Sequence, residues 1–390
     1  MRIVVVDDNA MNITVVQEML KRAGYRDIRA SSSGMELFEL LGLDEQGDDP
    51  LGRDGIEPDV DLILLDMMMP RIDGIAVCRA IQQSERLRDI PIIMVTAMGD
   101  SKKLAEALDA GAIDYVTKPI NRIELLARIR VALRLKQEKD WHKERDRRIR
   151  EELQLAKEVQ SAALPHKLDN DSITIDAIYK PSEELSGDLY AWHRIDRNRY
   201  GVAVIDAMGH GISSSLVCMF IASVLKDAMI KLVDPVLVME ELNRRALQLQ
   251  FADQLIQYYF TALYMIVDID KGVAEYVNAG HPPGMLLRGC NTNGAQTLLG
   301  GGTAVGMFEN VTFTKHEVDI APGDCIVLIT DGLLDLLNAP DEERLDKLLE
   351  RLAQGGEEAL PPEQWESVFF ATEELLGRPD DRCLIWVGIK

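Results

Sequence analysis

The chain has 390 residues, which at roughly 150 residues per domain predicts two or three domains rather than one small binding module. Apolar residues make up 47% and charged residues 28%, a composition that can bury globular cores and excludes collagen-like or disordered chains. The formal net charge of −22 would repel a phosphate backbone, so direct nucleic-acid binding is disfavoured.

The apolar runs and the cysteines indicate in which cellular compartment the protein is found. The longest apolar run, Leu216 to Leu225, is about half of the ~20 residues needed to span a bilayer, and the amino terminus lacks a signal-peptide layout. The five cysteines are far apart and include no Cys-x-x-Cys pair, so they are predicted to be buried thiols in a reducing compartment. We therefore expect a cytoplasmic protein without a membrane partner.

The first 120 residues alternate short β-branched runs with amphipathic stretches, which predicts a doubly wound α/β domain around a parallel five-stranded sheet. The segment from Gly42 to Pro58 is rich in Gly, Asp and Glu and is predicted to be a mobile surface loop, because it is too polar to bury. The predicted strands are Arg2 to Val6, Asp61 to Leu65, Pro91 to Val95 and Asp114 to Thr117.

A helical stretch follows this domain. From Arg122 to about Ala163 there is no Gly or Pro and apolar residues recur at helical spacing, which predicts one long helix or two in series. Its middle, RLKQEKDWHKERDRRIR, is mostly charged and should be exposed. The stretch is either a solvated linker or a coiled-coil seam that pairs two chains.

After Pro165 the pattern changes to β-rich segments around two strong helical stretches, which predicts an α+β layered domain. The predicted helices run from Ile212 to Lys231 and from Asp234 to Gln250. The predicted strands are Tyr200 to Ile205, Phe260 to Asp268, Val273 to Asn278, Asp324 to Thr330 and Cys383 to Ile389.

Five polar side chains lie at the predicted strand ends of the first domain: Asp7, Asp8, Asp66, Thr96 and Lys118. The carboxyl ends of parallel strands line one crevice, so these side chains should converge. Three crowded carboxylates need a counter-charge, for which a hard cation such as Mg²⁺ is suited. Lys118 and Thr96 could then stabilise charge during phosphoryl transfer to a carboxylate.

The segments VVVDDN, LLDMMMPRIDG, VTA and YVTKPI resemble the receiver domain of bacterial response regulators, over roughly residues 1 to 120. The resemblance implies that a cognate histidine kinase or phosphotransfer protein phosphorylates Asp66. It further implies that Lys118 contacts the phosphoryl group and that Thr96 and Tyr115 form the conformational switch. The implied Mg²⁺ ligands are Asp7, Asp8, Asp66 and the Met68 carbonyl. The methionine triplet from Met67 to Met69 is otherwise predicted to be core.

Acidic signatures recur in the second half: SGD, DAMGHG, TDG and a final DD pair. Asp206 and Asp331 each follow an apolar strand and are closely followed by glycine, which permits a sharp turn that brings oxygens near an ion. Carboxylates without paired cysteines favour Mg²⁺ or Mn²⁺ over zinc. Two such ions sharing a carboxylate could acidify a water and orient a phosphate for in-line attack.

These motifs, with YVNAGHPP and LITDGLLDLLN, resemble protein phosphatase 2C-like serine/threonine phosphatases of the bacterial sporulation and stress-response type, over about residues 150 to 390. The resemblance implies two Mn²⁺ or Mg²⁺ ions and direct attack by water, without a covalent phosphoenzyme. The implied metal ligands are Asp206 between both ions, the Ala207 carbonyl, Asp331 and Asp380 on one ion, and Asp188 through water on the other; Asp381 is a weaker substitute for Asp380. His210 and His281 are interpreted as fixing loops by hydrogen bonding rather than as general acids.

The combined hypothesis is a response regulator whose output is a metal-dependent protein phosphatase controlled by Asp66. Its parts are a receiver at residues 1–121, a helical linker at 122–165 and an α-β-β-α sandwich at 166–390. By resemblance, the substrate is a phosphorylated anti-sigma-factor antagonist and the protein is a homodimer. The alternative is a non-catalytic adaptor that binds a sigma factor or another regulatory protein under receiver control, and it is disfavoured because the metal-site carboxylates are present. A transcription factor is disfavoured by the acidic charge.

Overall fold

The structure, a computed structural model, describes residues 1–50, 59–97, 101–249, 258–337, 339–353, 359, 364–365, 367 and 380–390. The chain divides into two compact units, Met1–Ile149 and Arg150–Lys390. The division falls within one continuous helix, α5 (Arg122–Ala163), which matches the predicted stretch and is not broken in two. Leu125 and Ile129 near its start are buried in a core of the first unit, so the helix begins as part of that unit.

The first unit is a five-stranded parallel sheet with a hydrophobic core on each face, as predicted. The strand order is β2-β1-β3-β4-β5, which places the ends of β1 and β3 side by side. The elements are β1 (Arg2–Val6), α1 (Ala10–Lys21), β2 (Asp27–Ser31), α2 (Gly34–Leu41), β3 (Leu62–Asp66), α3 (Gly74–Gln83), β4 (Ile92–Ala97), α4 (Ser101–Asp109) and β5 (Asp114–Lys118).

The polar segment after α2 is held at one point by a buried arginine. Arg86 is buried and forms an ion pair of 3.1 Å with Asp49, whose carboxylate also accepts a 2.5 Å hydrogen bond from Ser84. Arg86 additionally donates to the Leu41 carbonyl at 2.8 Å. Residues 44–46, 48 and 50 are exposed, as expected of a surface segment, and the Arg86 contacts hold Asp49 within it; residues 51–58 lie outside the described residues.

The second unit consists of two antiparallel sheets with helices on the outer faces, which confirms the predicted α-β-β-α sandwich. The sheet orders are β14-β11-β10-β9-β8 and β13-β12-β15-β16-β7-β6. The elements are β6 (Leu168–Asp169), β7 (Ile173–Lys180), β8 (Asp188–Arg194), β9 (Arg199–Ala207), α6 (Ile212–Lys231), α7 (Pro235–Ala246), β10 (Phe260–Asp268), β11 (Val273–Ala279), β12 (Gly284–Leu287), β13 (Gln296–Leu298), β14 (His316–Asp319), β15 (Cys325–Ile329), α8 (Asp331–Asp335), α9 (Asp341–Ala353) and β16 (Arg382–Ile389).

Alternation along β9 assigns its two faces. Ala203 and Ile205 pack against the helical layer, whereas Val202 and Val204 pack in the core between the two sheets. Successive side chains of a strand point to opposite faces, so Asp206 follows Val204 toward the gap between the sheets. The strand therefore delivers an acidic side chain to the rim of the central core.

By length and composition, helix α6 could cross a membrane. No other helix among the described residues meets both conditions. Its Cys218, Ile221 and Leu225 are buried in the core, where the helix packs against β8 and β9. Its apolar side chains therefore pack the helix against the sheet within this unit.

The cysteine prediction is wrong for one pair. Cys290 and Cys325 form a disulfide with their Cα atoms 5.1 Å apart, within the usual range for such a bond. Antiparallel β12 and β15 pair Leu287 with Cys325. Cys290, 35 residues before Cys325 in sequence, therefore lies beside it in space. Cys78, Cys218 and Cys383 are free and buried, as predicted.

Candidate functional site

The first site lies at the carboxyl ends of β1 and β3. Asp7, Asp8 and Asp66 form a group whose carboxylate oxygens lie within 4.8 Å of one another. Lys118, at the end of β5, donates to Asp66 Oδ1 at 2.7 Å and to Asp7 Oδ2 at 2.9 Å. The structure thus brings together four of the five side chains that the sequence placed at strand ends.

Charge and burial define what this site can hold. Burial raises the pKa of the Asp66 carboxyl, with contributions from the charges of Asp7 and Asp8, against the hydrogen bond from Lys118. Burial lowers the pKa of Lys118, but its hydrogen bonds to Asp66 and Asp7 outweigh this effect and leave the pKa raised. A donor set of three carboxylates in one small space fits a hard divalent cation such as Mg²⁺.

The proposed switch residues are arranged differently from the acids. The buried Thr96 hydroxyl has two acceptors for its single proton, Met67 Sδ at 3.4 Å and the Ala97 carbonyl at 3.3 Å, rather than Asp66. The Tyr115 ring faces the guanidinium of Arg128 on α5 at 5.5 Å, a cation–π contact. The Met68 side chain is 60% exposed, so its prediction as core is wrong, whereas Met67 is buried.

The second site lies where β8 and β9 meet the turn after β15. Asp188 begins β8 directly opposite Asp206 near the end of β9. Asp331 begins α8, and Asp380 lies before β16. The structure thus draws on four separate elements to gather the carboxylates that the sequence singled out.

These carboxylates strongly disfavour one another's ionisation. Burial and the charges of Asp331 and Asp380 raise the pKa of Asp206 to about 8. Burial and Asp380 likewise raise the pKa of Asp331. Burial and Asp206 raise the pKa of Asp188, against a hydrogen bond from Thr330. Asp188 is buried, Asp206 is half-buried, and Asp331 and Asp380 are exposed. Such a crowded group of acids, without a cationic side chain in this set of contacts, fits divalent cations, which supply the missing charge.

The second site is wider than the first. Among the described residues, its acids do not form a group of three with oxygens within 4.8 Å of one another, as the acids of the first site do. A two-metal site has ions about 3.5–4 Å apart, so its ligands need not all meet at one point. Two main-chain oxygens add to it, because a Cβ on Gly187 would lie 2.9 Å from the Gly209 carbonyl and 3.2 Å from the Ala207 carbonyl. Glycine therefore leaves open the space onto which these carbonyls face.

Thr330 and Asp381 are the positioning residues that sequence reasoning underrated. The fully buried Thr330 hydroxyl donates to Asp188 Oδ2 at 2.7 Å and accepts from the Cys383 amide at 2.9 Å, which ties the ends of β15 and β16 to Asp188. Asp381 is also buried, and its carboxylate accepts hydrogen bonds from the Ser182 and Gly187 amides at 2.7 and 2.6 Å. Asp381 therefore anchors the SGD loop, while the neighbouring Asp380 is exposed beside Asp331.

The two histidines occupy loop-fixing positions. His281 is buried, its Nδ1 lies 2.8 Å from Thr261 Oγ1, and its backbone amide donates to Asn278 Oδ1 at 2.8 Å. Burial lowers the pKa of His281 to about 3, so its imidazole is neutral near pH 7. His210 is exposed, and its Nδ1 lies 3.3 Å from Glu183. These contacts agree with the interpretation that the histidines fix loops.

The fold is that of a receiver domain joined to a phosphatase-type sandwich, and each part carries a group of carboxylates. The family described as Stage II sporulation protein E (SpoIIE) matches residues 196–390, and the response regulator receiver domain matches residues 3–130. The chain belongs to the SpoIIE family and carries a receiver domain in its N-terminal part.

Individual relatives agree with this assignment. The chain is 38% identical over 185 residues to the phosphoserine phosphatase RsbP of Bacillus subtilis, covering 47% of this chain and 45% of that protein. It is 35% identical over 133 residues to the DNA-binding dual master transcriptional regulator RpaA of Synechocystis, covering 34% of this chain and 49% of that protein. It thus spans about half the length of these relatives. The SiaA-PP2C domain of Pseudomonas aeruginosa shares the fold, with a TM-score of 0.52 at 20% identity over 63% of this chain and 98% of that domain.

Proposed function

We propose that this protein is a phosphorylation-controlled phosphatase that hydrolyses phosphoserine or phosphothreonine in a partner protein. The observation that carries the proposal is the set of facing carboxylates on Asp188, Asp206 and Asp331, whose pKa values are all raised by burial and mutual repulsion. The likeness to a relative named a phosphoserine phosphatase supports the same chemistry. The proposed substrate is a phosphorylated anti-sigma-factor antagonist, whose dephosphorylation would release a sigma factor by partner switching.

The proposed ligands of two Mn²⁺ or Mg²⁺ ions are Asp206, the Ala207 carbonyl, Asp331 and Asp380, with Asp188 acting through water. Such ions supply positive charge for the phosphoryl oxygens and activate water as the nucleophile. The chain itself contributes the geometry. Thr330 holds the Asp188 carboxylate in one orientation, and Asp381 fixes the Gly187 amide and thereby the loop that leads to Asp188.

Phosphate release by the purified full chain tests the proposal. We expect release from a serine-phosphorylated anti-sigma-factor antagonist, and more slowly from a generic phosphoester, in Mn²⁺ or Mg²⁺. Removal of the ions with a chelator should abolish it, since metal-site carboxylates alone provide no nucleophile. A chain that binds the phosphoprotein without hydrolysing it in either ion would instead be the non-catalytic adaptor.

We further propose that a histidine kinase or phosphotransfer protein phosphorylates Asp66 with Mg²⁺ held by Asp7, Asp8 and the Met68 carbonyl. Lys118, already 2.7 Å from Asp66, would neutralise the phosphoryl charge, and Thr96 and Tyr115 would respond to it. Helix α5 supports coupling, because Arg128 on this helix contacts the Tyr115 ring and the helix continues into the second unit. Coupling between two sites requires an element with two arrangements, and we propose that α5 is this element.

Receiver phosphorylation is expected to change phosphatase activity by at least about fivefold, the lower end of typical coupling between sites. Acetyl phosphate or beryllofluoride should produce this change in the wild type and none in Asp66→Asn. Asp109→Asn, at an exposed position of the same unit, is the matched control and should respond as the wild type does. Equal responses of Asp66→Asn and wild type would refute control through this residue.

A homodimer through α5 completes the proposal. Apolar side chains on the helix are exposed although they are costly to leave in water: Val131, Leu135, Trp141, Leu155 and Val159. A second copy of the helix would cover them in a coiled coil, with the charged middle of the helix on the outside. Light scattering of the full chain measures the mass and distinguishes one copy from two.

A further inference from the structure

The last turns of α5 carry a buried amide that the proposed chemistry does not use. Gln160 is 4% exposed and lies three residues before the end of the helix. Its Nε2 donates to the Ser186 carbonyl at 2.8 Å, and its Oε1 accepts from the Ser186 amide at 3.1 Å. One side chain therefore satisfies both backbone hydrogen-bonding groups of a single residue, in a buried setting where leaving them unpaired would be costly.

Ser186 belongs to the loop that leads to the second site. Its hydroxyl accepts from the Asp188 amide at 3.0 Å, so the residue that Gln160 holds also fixes the start of β8. The peptide between them is fixed as well, because the Gly187 amide donates to Asp381 at 2.6 Å and the Gly187 carbonyl accepts from the Ala207 amide at 3.0 Å. The loop is thus held from two sides, and Gln160 is its contact to the helix.

We propose that Gln160 is a positioning residue for the metal site, through which α5 sets the cation affinity of the phosphatase; this rests on the proposed function. The hydrogen bonds tolerate little displacement, since they weaken steeply with distance and angle. Moving the helix by one residue would turn Gln160 by about 100° and shift it by about 1.5 Å, which breaks both bonds. Only one rotation and axial position of the helix therefore lets Gln160 hold Ser186, and with it the start of β8 at Asp188.

The test replaces Gln160 with methionine, which keeps the length and the helix propensity but removes both hydrogen bonds. We expect the Mn²⁺ concentration for half-maximal phosphate release to rise about 10-fold, the lower end of the cost of losing a direct hydrogen-bond partner of a metal ligand, because Gln160 acts on Asp188 through Ser186. Activity at saturating Mn²⁺ and the substrate KM should stay as in the wild type. Hydrogen exchange of the 186–188 amides should accelerate in the metal-free protein. Gln154→Met, an exposed amide on the same helix, should change none of these quantities.

An unchanged Mn²⁺ requirement in a folded Gln160→Met chain that releases phosphate would overturn the proposal. If this variant does not fold, Gln160→Asn, which keeps the amide but is one methylene too short to reach Ser186, decides by the same titration. If the wild type releases no phosphate in any ion, the proposed function fails instead. The exchange rates then still judge the contact, and unchanged rates at 186–188 would show that Gln160 does not hold the loop.

Discussion

Replacing Asp206 with asparagine is expected to abolish metal-dependent phosphate release and, at the same time, to stabilise the metal-free protein. The substitution removes a carboxylate on which two ions would depend, so activity should fall by more than about 100-fold, beyond the cost of losing an outer partner. It also removes a half-buried acid that Asp331 and Asp380 repel. Phosphate release in Mn²⁺ and the melting temperature with a chelator measure the two effects.

The sign of the pH effect follows from the same residue. The pKa of Asp206 is about 8 in the folded chain against an ordinary value of 3.8, so between these values the folded state holds a proton that the unfolded state has lost. The free energy of unfolding of the metal-free wild type therefore falls as pH rises through this window. Asp206→Asn should weaken this fall and, at the upper end, raise the melting temperature by about 3 °C, or roughly 1 kcal/mol for a domain of this size.

Asp171→Asn is the control, because it removes the same formal charge at an exposed turn of the same unit. It should leave activity and the pH slope unchanged. An Asp206→Asn chain that melts below the wild type at every pH would mean that the carboxylate is a stabilising group in the absence of metal. That result would contradict a cluster built around cations.

Hydrophobic periodicity predicted the elements that bury a continuous face and missed those that do not. Strand β10 and helix α6 were predicted to the residue, since both bury long apolar runs in the core. Strand β8, DLYAWHR, was missed because most of its side chains are only half-buried and their polarity does not alternate cleanly. Strand β13 has three residues, too few for a period. The sandwich was nevertheless predictable from resemblance to its family.

The residues of the second site were likewise only partly predictable from the sequence. The carboxylates were found because motifs mark them in sequence, each beside a strand end or a glycine. Their supports were not, because a hydrogen bond such as that from Thr330 to Asp188 joins residues 142 positions apart and depends on how two sheets meet. The Arg86–Asp49 ion pair and the Cys290–Cys325 contact were missed for the same reason. The residue types gave no sign of their partners.

Gly332→Ala is expected to reduce phosphatase activity by more than about 100-fold, beyond the cost of losing an outer partner of a metal ligand. A Cβ at this position would lie 2.0 Å from the Asp381 carbonyl oxygen and 3.2 Å from Asp380 Cβ, so the turn after β15 and the chain before β16 must separate. That movement draws Asp331 away from Asp380. The variant should also lose about 1–3 kcal/mol of stability, as overpacked sites do. Phosphate release in Mn²⁺ and chemical denaturation measure the two losses.

The sign of this effect opposes helix propensity, which makes the result diagnostic. Gly332 lies in α8, where alanine would by itself stabilise a helix by about 1 kcal/mol relative to glycine. Gly301→Ala is the control, because a Cβ there meets no atom within 4 Å, and it should leave activity and stability unchanged. If Gly332→Ala retained full activity, the close approach of residues 332 and 381 would not be needed to bring Asp331 and Asp380 together. If Gly332→Ala lost activity but gained stability, the backbone would have moved apart without strain. The close approach of residues 332 and 381 would then matter for the metal site and not for stability.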